Sequence, residues 1–139
     1  MDTKVPTLSR PTIGLLIKDI TGPYQSGVWS GIYEAACQND INLLCYCGGA
    51  LDTSPTNQWE HQKNLLFALA EKKDLTGYII SGSIGGYVSH PRFLEFIRHF
   101  VHRPIVSLIP ITETIPCVCV DNRMGMAKPN PLTTLLCLS

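Results

Sequence analysis

Three groupings in this chain have residue types and spacing that can do chemistry. The first is Ser81-Gly82-Ser83-Ile84-Gly85-Gly86, which follows an apolar run and approximates the G-x-S-x-G elbow, with Ser83 in the nucleophile's place and Ser81 replacing the first glycine. Such a serine needs an acid and then a histidine later in the chain. The only aspartate downstream is Asp121, and His61, His90, His99 and His102 all precede it. A small serine hydrolase using Ser83 is therefore the disfavoured alternative. The same glycines permit a tight turn whose amides and hydroxyls, those of Ser81 and Ser83 included, can face a ligand.

The second grouping is a pair of C-x-C motifs, Cys45/Cys47 and Cys117/Cys119, which together number the four thiolates of a zinc site. Residues two apart in a strand share a face, so each pair is equally a pair of small core residues. The third grouping is polar and aromatic: Asp19, Tyr24 and Gln25 after one apolar run, and Asp121 and Asn122 after another. A tyrosine ring beside acceptors and donors can stack on a sugar or base while the polar groups take its hydroxyls or amines. The bland readings are a solvated turn with Tyr24 anchoring a helix, and an N-cap at Asp121.

The elements that must position these residues alternate. Thr12 to Lys18 reads as a strand buried on both faces, and Tyr24 to Asn39 as a helix with Val28, Ile32, Ala35 and Ala36 at helical spacing. Asn42 to Cys47 is a second strand. Its helix starts near Asn57, which has capping-box spacing to Glu60, and carries Trp59, Leu65, Leu66 and Leu69 on its buried side. Gly77 to Ser81 makes a third strand; Pro91 opens a third helix whose stripe is Phe93, Leu94, Ile97 and Val101. Pro104 to Ile109 and Cys117 to Val120 make strands four and five, and Pro129 and Pro131 turn the final residues into a tail.

This pattern predicts an α/β fold, a three-layer parallel sheet of order 2-1-3-4-5 with helices on both faces and right-handed crossovers. Ligands of such sheets sit beyond the carboxyl ends of the strands, where all the polar candidates fall. Strands two and five would be opposite edges, too far apart for one zinc site, so no metal or cofactor is expected. Neither a dinucleotide-binding turn nor a phosphate loop occurs, and strand three ends in serine where a phosphoacceptor receiver domain has aspartate.

Composition narrows the class further. Of the 139 residues 45% are hydrophobic and 16% charged, which fits one folding unit. Eleven basic residues balance eleven acidic ones, so direct contact with nucleic acid is not expected. No apolar run reaches the roughly 18 residues of a membrane span, and the first ten residues have no signal-peptide core, which predicts a soluble, cytoplasmic chain with reduced thiols.

From Arg10 to Met126 these segments together resemble the ligand-binding domain of the LacI/GalR family and its periplasmic sugar-binding relatives. The blocks that carry the likeness are IGLLIKDITGPYQSGVWSGIYEAACQNDINLLCYCGG, DLTGYIISGS, RPIVSLIP and VDNRMG. The family's first loop usually reads D-x-x-N-P-[FY], then a helix with G-[IV]-x-x-A-A. Here Asp19, Pro23, Tyr24, Gly31, Ile32, Ala35 and Ala36 match, and Gly22 stands for the asparagine.

The resemblance implies a non-catalytic sensor of a small polar effector, sugar or nucleobase-like, contacted by Tyr24, Gln25, Asp121 and Asn122. It divides the chain into an arm (1–9), an amino-terminal lobe (10–126) and a divergent tail (127–139). The family's helix-turn-helix head and second lobe are not matched. The expectation is half of a clamshell, cut from a transcriptional regulator or a kinase- or cyclase-linked sensor, with a non-functional truncation product as a further alternative. It should bind weakly and form a homo-oligomer through uncovered strand surface.

Overall fold

The computed structural model describes residues 9–52, 58–120 and the strand 136–138. Strands β1 (Thr12–Ile17), β2 (Asn42–Cys47), β3 (Gly77–Ile80) and β4 (Ile105–Ser107) form a parallel sheet of order β2-β1-β3-β4. Register runs Thr12 opposite Asn42, Leu15 opposite Ile79, and Ile79 opposite Val106. β1 is central and its last three residues are fully buried, as its unbroken apolar run requires.

Helix α1 (Pro23–Gln38) covers one face of the sheet. On the other lie α3 (Leu65–Lys72), led into by the short α2 (Gln58–Lys63), and α4 (His90–Ile97). The core is concentrated there. Leu16, Tyr78, Ile80 and Ile105 from the strands meet Phe67 and Ala70 of α3 and Phe93, Phe96 and Ile97 of α4. Aromatic rings knit this layer: Phe67 stands edge-on to Phe96 at 5.3 Å, and Tyr78 edge-on to Phe100 at 5.0 Å. The buried Tyr78 hydroxyl donates to the Ala70 carbonyl at 3.1 Å, so its polar end is satisfied.

α4 begins as its sequence implies, with Pro91 in the first turn and the Ser89 hydroxyl accepting the Arg92 N–H. Its stripe is turned slightly from the expected one: Phe96 and Phe100 are buried and Val101 is exposed.

The α1 face is covered less completely. Of the four residues expected to face the sheet only Ala36 is buried; Val28 and Ile32 are half-buried and Ala35 is exposed. One helix cannot cover four strands, and an apolar cavity of about 170 Å³ remains between Ile32 and the strand residues Ile13, Leu43 and Ile79.

Three further expectations are corrected. The second helix is broken at Asn64, and Trp59, Leu65, Leu66 and Leu69 are exposed, while Phe67 and Ala70 take the buried side. Its expected start, Asn57, lies outside the described residues. The fifth strand, β5 (Val118–Val120), does not extend the parallel ladder. A single parallel bridge, Ser107 to Cys117, links its root to β4, and β5 itself pairs antiparallel with β6 (Leu136–Leu138), in the stretch expected to be a tail. The Ser107 N–H donates to the Pro116 carbonyl at 2.9 Å beside this bridge.

Candidate ligand-binding edge

Each parallel strand ends on the same edge of the sheet, and there the loops are laced together. The Lys18 N–H donates to Ser83 Oγ at 3.3 Å, and the Ser83 and Ser81 hydroxyls lie 2.9 Å apart. Gly49 N–H donates to the Lys18 carbonyl, and Leu51 N–H to the Ile84 carbonyl. Asn64 reaches in from the break between α2 and α3, where its amide donates to the carbonyls of Gly48 (2.7 Å) and Ala50 (3.1 Å). Loops after β1, β2 and β3 thus form one rigid rim.

Ser81 caps the 3₁₀ turn Gly82–Gly85 and is buried. Both serine hydroxyls are turned into the scaffold. Among the described residues the partners of Ser83 Oγ are the Ser81 hydroxyl and the Lys18 N–H, neither of which is a base.

Asp19 organises the turn that starts α1. Its carboxylate accepts from the Thr21 N–H and hydroxyl, both at 3.1 Å, and from the Gly22 N–H at 3.4 Å, giving an Asx turn ahead of a helix whose N-cap, Gly22, has no side chain. Burial opposes ionisation of this carboxyl, but the Thr21 and Gly22 hydrogen bonds and the Lys18 charge outweigh it and hold the pKa below the ordinary value. Gln25 folds its amide back over Gly22: a Cβ on Gly22 would lie 2.2 Å from the Gln25 Oε1. Gly22 in place of asparagine therefore gives Gln25 its seat.

Tyr24 is 61% exposed and stands at the mouth of a cavity of about 600 Å³. The cavity floor is Gly27, Val28 and Ile32 of α1, with Leu108 after β4 and Val118–Val120 of β5 opposite. Among the described residues of this lining, Tyr24 and Cys119 bring the polar side-chain atoms. Its chemistry suits the face of a sugar ring or a planar heterocycle stacked on the tyrosine. Val120 immediately precedes Asp121, so the root of the fifth loop reaches the same cavity as Tyr24; Asp121 and Asn122 themselves lie outside the described residues.

Two rim residues escape a reading by motif. Lys18 closes the first apolar run, and its ammonium sits 5.8 Å from the centroid of the exposed Tyr87 ring, within cation–π range. Asn64 stands between the polar run Gln58–Lys63 and the apolar run Leu65–Ala70, and that change of pattern is the signal that could have marked it. Among the described residues no group of three or more His, Cys, Asp or Glu could hold a metal, and no helix is long and apolar enough to cross a membrane. No protein-family model matches the chain, and neither a curated protein nor a solved structure does.

Proposed function

We propose that this chain is a small-molecule-sensing lobe of the LacI/GalR type, a non-catalytic module that binds a polar sugar or nucleobase-like effector at the carboxyl edge of its parallel sheet. The observation that carries the reading is the placement of Tyr24. An exposed ring directly after an Asx turn at the end of the central strand overhangs an apolar cavity shared with the root of the fifth loop.

In this reading Tyr24 stacks on the effector, Gln25, Asp121 and Asn122 supply hydrogen bonds, and Asp19, Ser81 and Ser83 hold the rim. The chain works in the cytoplasm as the input part of a regulator or signalling protein, self-associates, and touches neither nucleic acid nor membrane directly. Contacts from a single lobe leave much of a ligand in water, so affinity is about millimolar, near −4 kcal/mol.

A panel of monosaccharides, nucleosides and nucleobases, titrated into the labelled chain and followed by amide chemical shifts, tests this. At least one class should shift the Lys18–Gln25 amides, and Tyr24→Ala should abolish the shift. Binding by no member at about ten millimolar, or binding indifferent to Tyr24, refutes the proposal. Ester turnover lost in Ser83→Ala would replace it with the hydrolase.

A further inference from the structure

Away from the rim, two thiols sit together on the open edge of the sheet. Cys45 and Cys47 occupy same-face positions of β2, the edge strand, with Sγ atoms 3.8 Å apart and both side chains half-buried. From α1, Trp29 lies over them and hydrogen-bonds the Cys45 sulfur, its indole stacked on Tyr33 at 5.3 Å and 6°. Burial first, then the neighbouring Cys47, pushes the Cys45 thiol up to about 12, so without a counter-cation it stays protonated at neutral pH.

We propose that Cys45 and Cys47 form a two-coordinate site for a monovalent soft cation, Cu(I) or its analogue Ag(I). Three properties of the pair select that class. Thiolates prefer soft ions. Zinc takes four ligands, and no third His, Cys, Asp or Glu joins the pair among the described residues. A disulfide fits poorly, because same-face neighbours in an extended strand are about 6.6 Å apart at Cα, near the upper limit for an S–S bridge. Two metal–thiolate bonds near the 2.3 Å zinc–sulfur length, set nearly in line as a two-coordinate d10 ion prefers, put the sulfurs about 4.6 Å apart, so the pair at 3.8 Å opens by about 0.8 Å on binding.

Binding breaks two S–H bonds, releases two protons to solvent and forms two metal–sulfur bonds. No electron is transferred. The ion stays monovalent and the bis-thiolate unit carries one negative charge, which the Trp29 N–H and solvent at the open edge stabilise.

The test is anaerobic titration of the full chain with Cu(I) buffered by bicinchoninate and ascorbate, read by retained copper and tryptophan emission. One Cu(I) per chain should be held, with emission changed. C45S and C47S should each weaken retention at least about 100-fold, since the second thiol acts at high effective concentration. W29F should keep the ion and lose most of the emission response, leaving the exposed Trp59 as reporter. Alkylation of the copper-loaded wild-type chain, mapped by mass spectrometry, should find Cys45 and Cys47 protected and Cys37 modified, a readout that needs no variant to fold. Retention undiminished in C45S or C47S, protection at other cysteines only, displacement by equimolar Zn(II), or no retention against bicinchoninate would each overturn the assignment.

Discussion

Replacing Asn64 by alanine removes a side chain that ties the break between α2 and α3 to the loop after β2. Two hydrogen bonds are lost, to the Gly48 and Ala50 carbonyls at 2.7 and 3.1 Å. Each is worth about 1 kcal/mol net, and the part-buried carbonyls are left short of a donor. Against this, residue 64 has helical dihedrals (φ −60°, ψ −21°), where alanine is favoured by a few tenths of a kcal/mol. The balance is a loss of about 2 kcal/mol, or about 8 °C in Tm for a domain of this size. Asn64→Asp keeps the shape but turns a carboxylate toward two carbonyl oxygens, and should cost more, about 3 kcal/mol at pH 7. The introduced carboxyl would titrate above its unfolded value of about 3.9, because only its protonated form can donate. The extra cost is therefore absent below that value and grows as pH rises through the folded pKa. Urea unfolding followed by circular dichroism at pH 4 and pH 7 measures both variants. An Asn64→Ala loss under about 0.5 kcal/mol, or Asn64→Asp no worse than alanine at pH 7, would show that these contacts do not hold the rim.

Gly48→Ala places a Cβ 2.4 Å from the Phe67 ring, which is 2% exposed and cannot swing away, so denaturation should reveal a loss of about 1–3 kcal/mol. Ser83→Ala leaves the Lys18 N–H without this acceptor and takes from the Ser81 hydroxyl one of its two partners, the other being the residue-83 N–H, and should lower stability by about 1 kcal/mol; a hydrolytic site would instead show lost turnover at unchanged stability. Asp19 has a depressed pKa, so the stability it contributes is present above its unfolded value and is lost as pH falls through the folded one. Asp19→Asn should flatten that acid limb of the stability profile, and an unchanged limb would show that the Asx turn does not depend on charge.

The strands were legible because unbroken apolar runs bounded by turn residues leave few alternatives: β2 spans Asn42–Cys47 as read, and β1 stops one residue short of Lys18. Helical phase was harder. In LLFALA apolar side chains point all round, so periodicity cannot choose a buried face. Tertiary contacts choose it: Asn64 anchors the start of α3, and Gly48, lacking a Cβ, admits the Phe67 ring. Leu65 and Leu69 are then carried outward, and a residue far away in sequence has decided a local question.

The cavity side was only half visible for the same physical reason. The sequence placed Tyr24 and the fifth strand at one edge. It did not show that β5 would leave the parallel ladder after a single bridge and pair with residues 136–138, because strand pairing depends on a partner and LCL carries no turn signal to announce one. That departure gives the cavity its shape. A fifth parallel strand held along β4 would continue the sheet. Instead Val118 and Val120 stand across a 600 Å³ space from the open glycines of α1, Gly27 and Gly31, where a Cβ would meet nothing within 4 Å. The α1 face is therefore the part of the fold with room for a ligand. The opposite face, filled by Phe67, Phe96 and Phe100, has the rigidity to hold the rim in place.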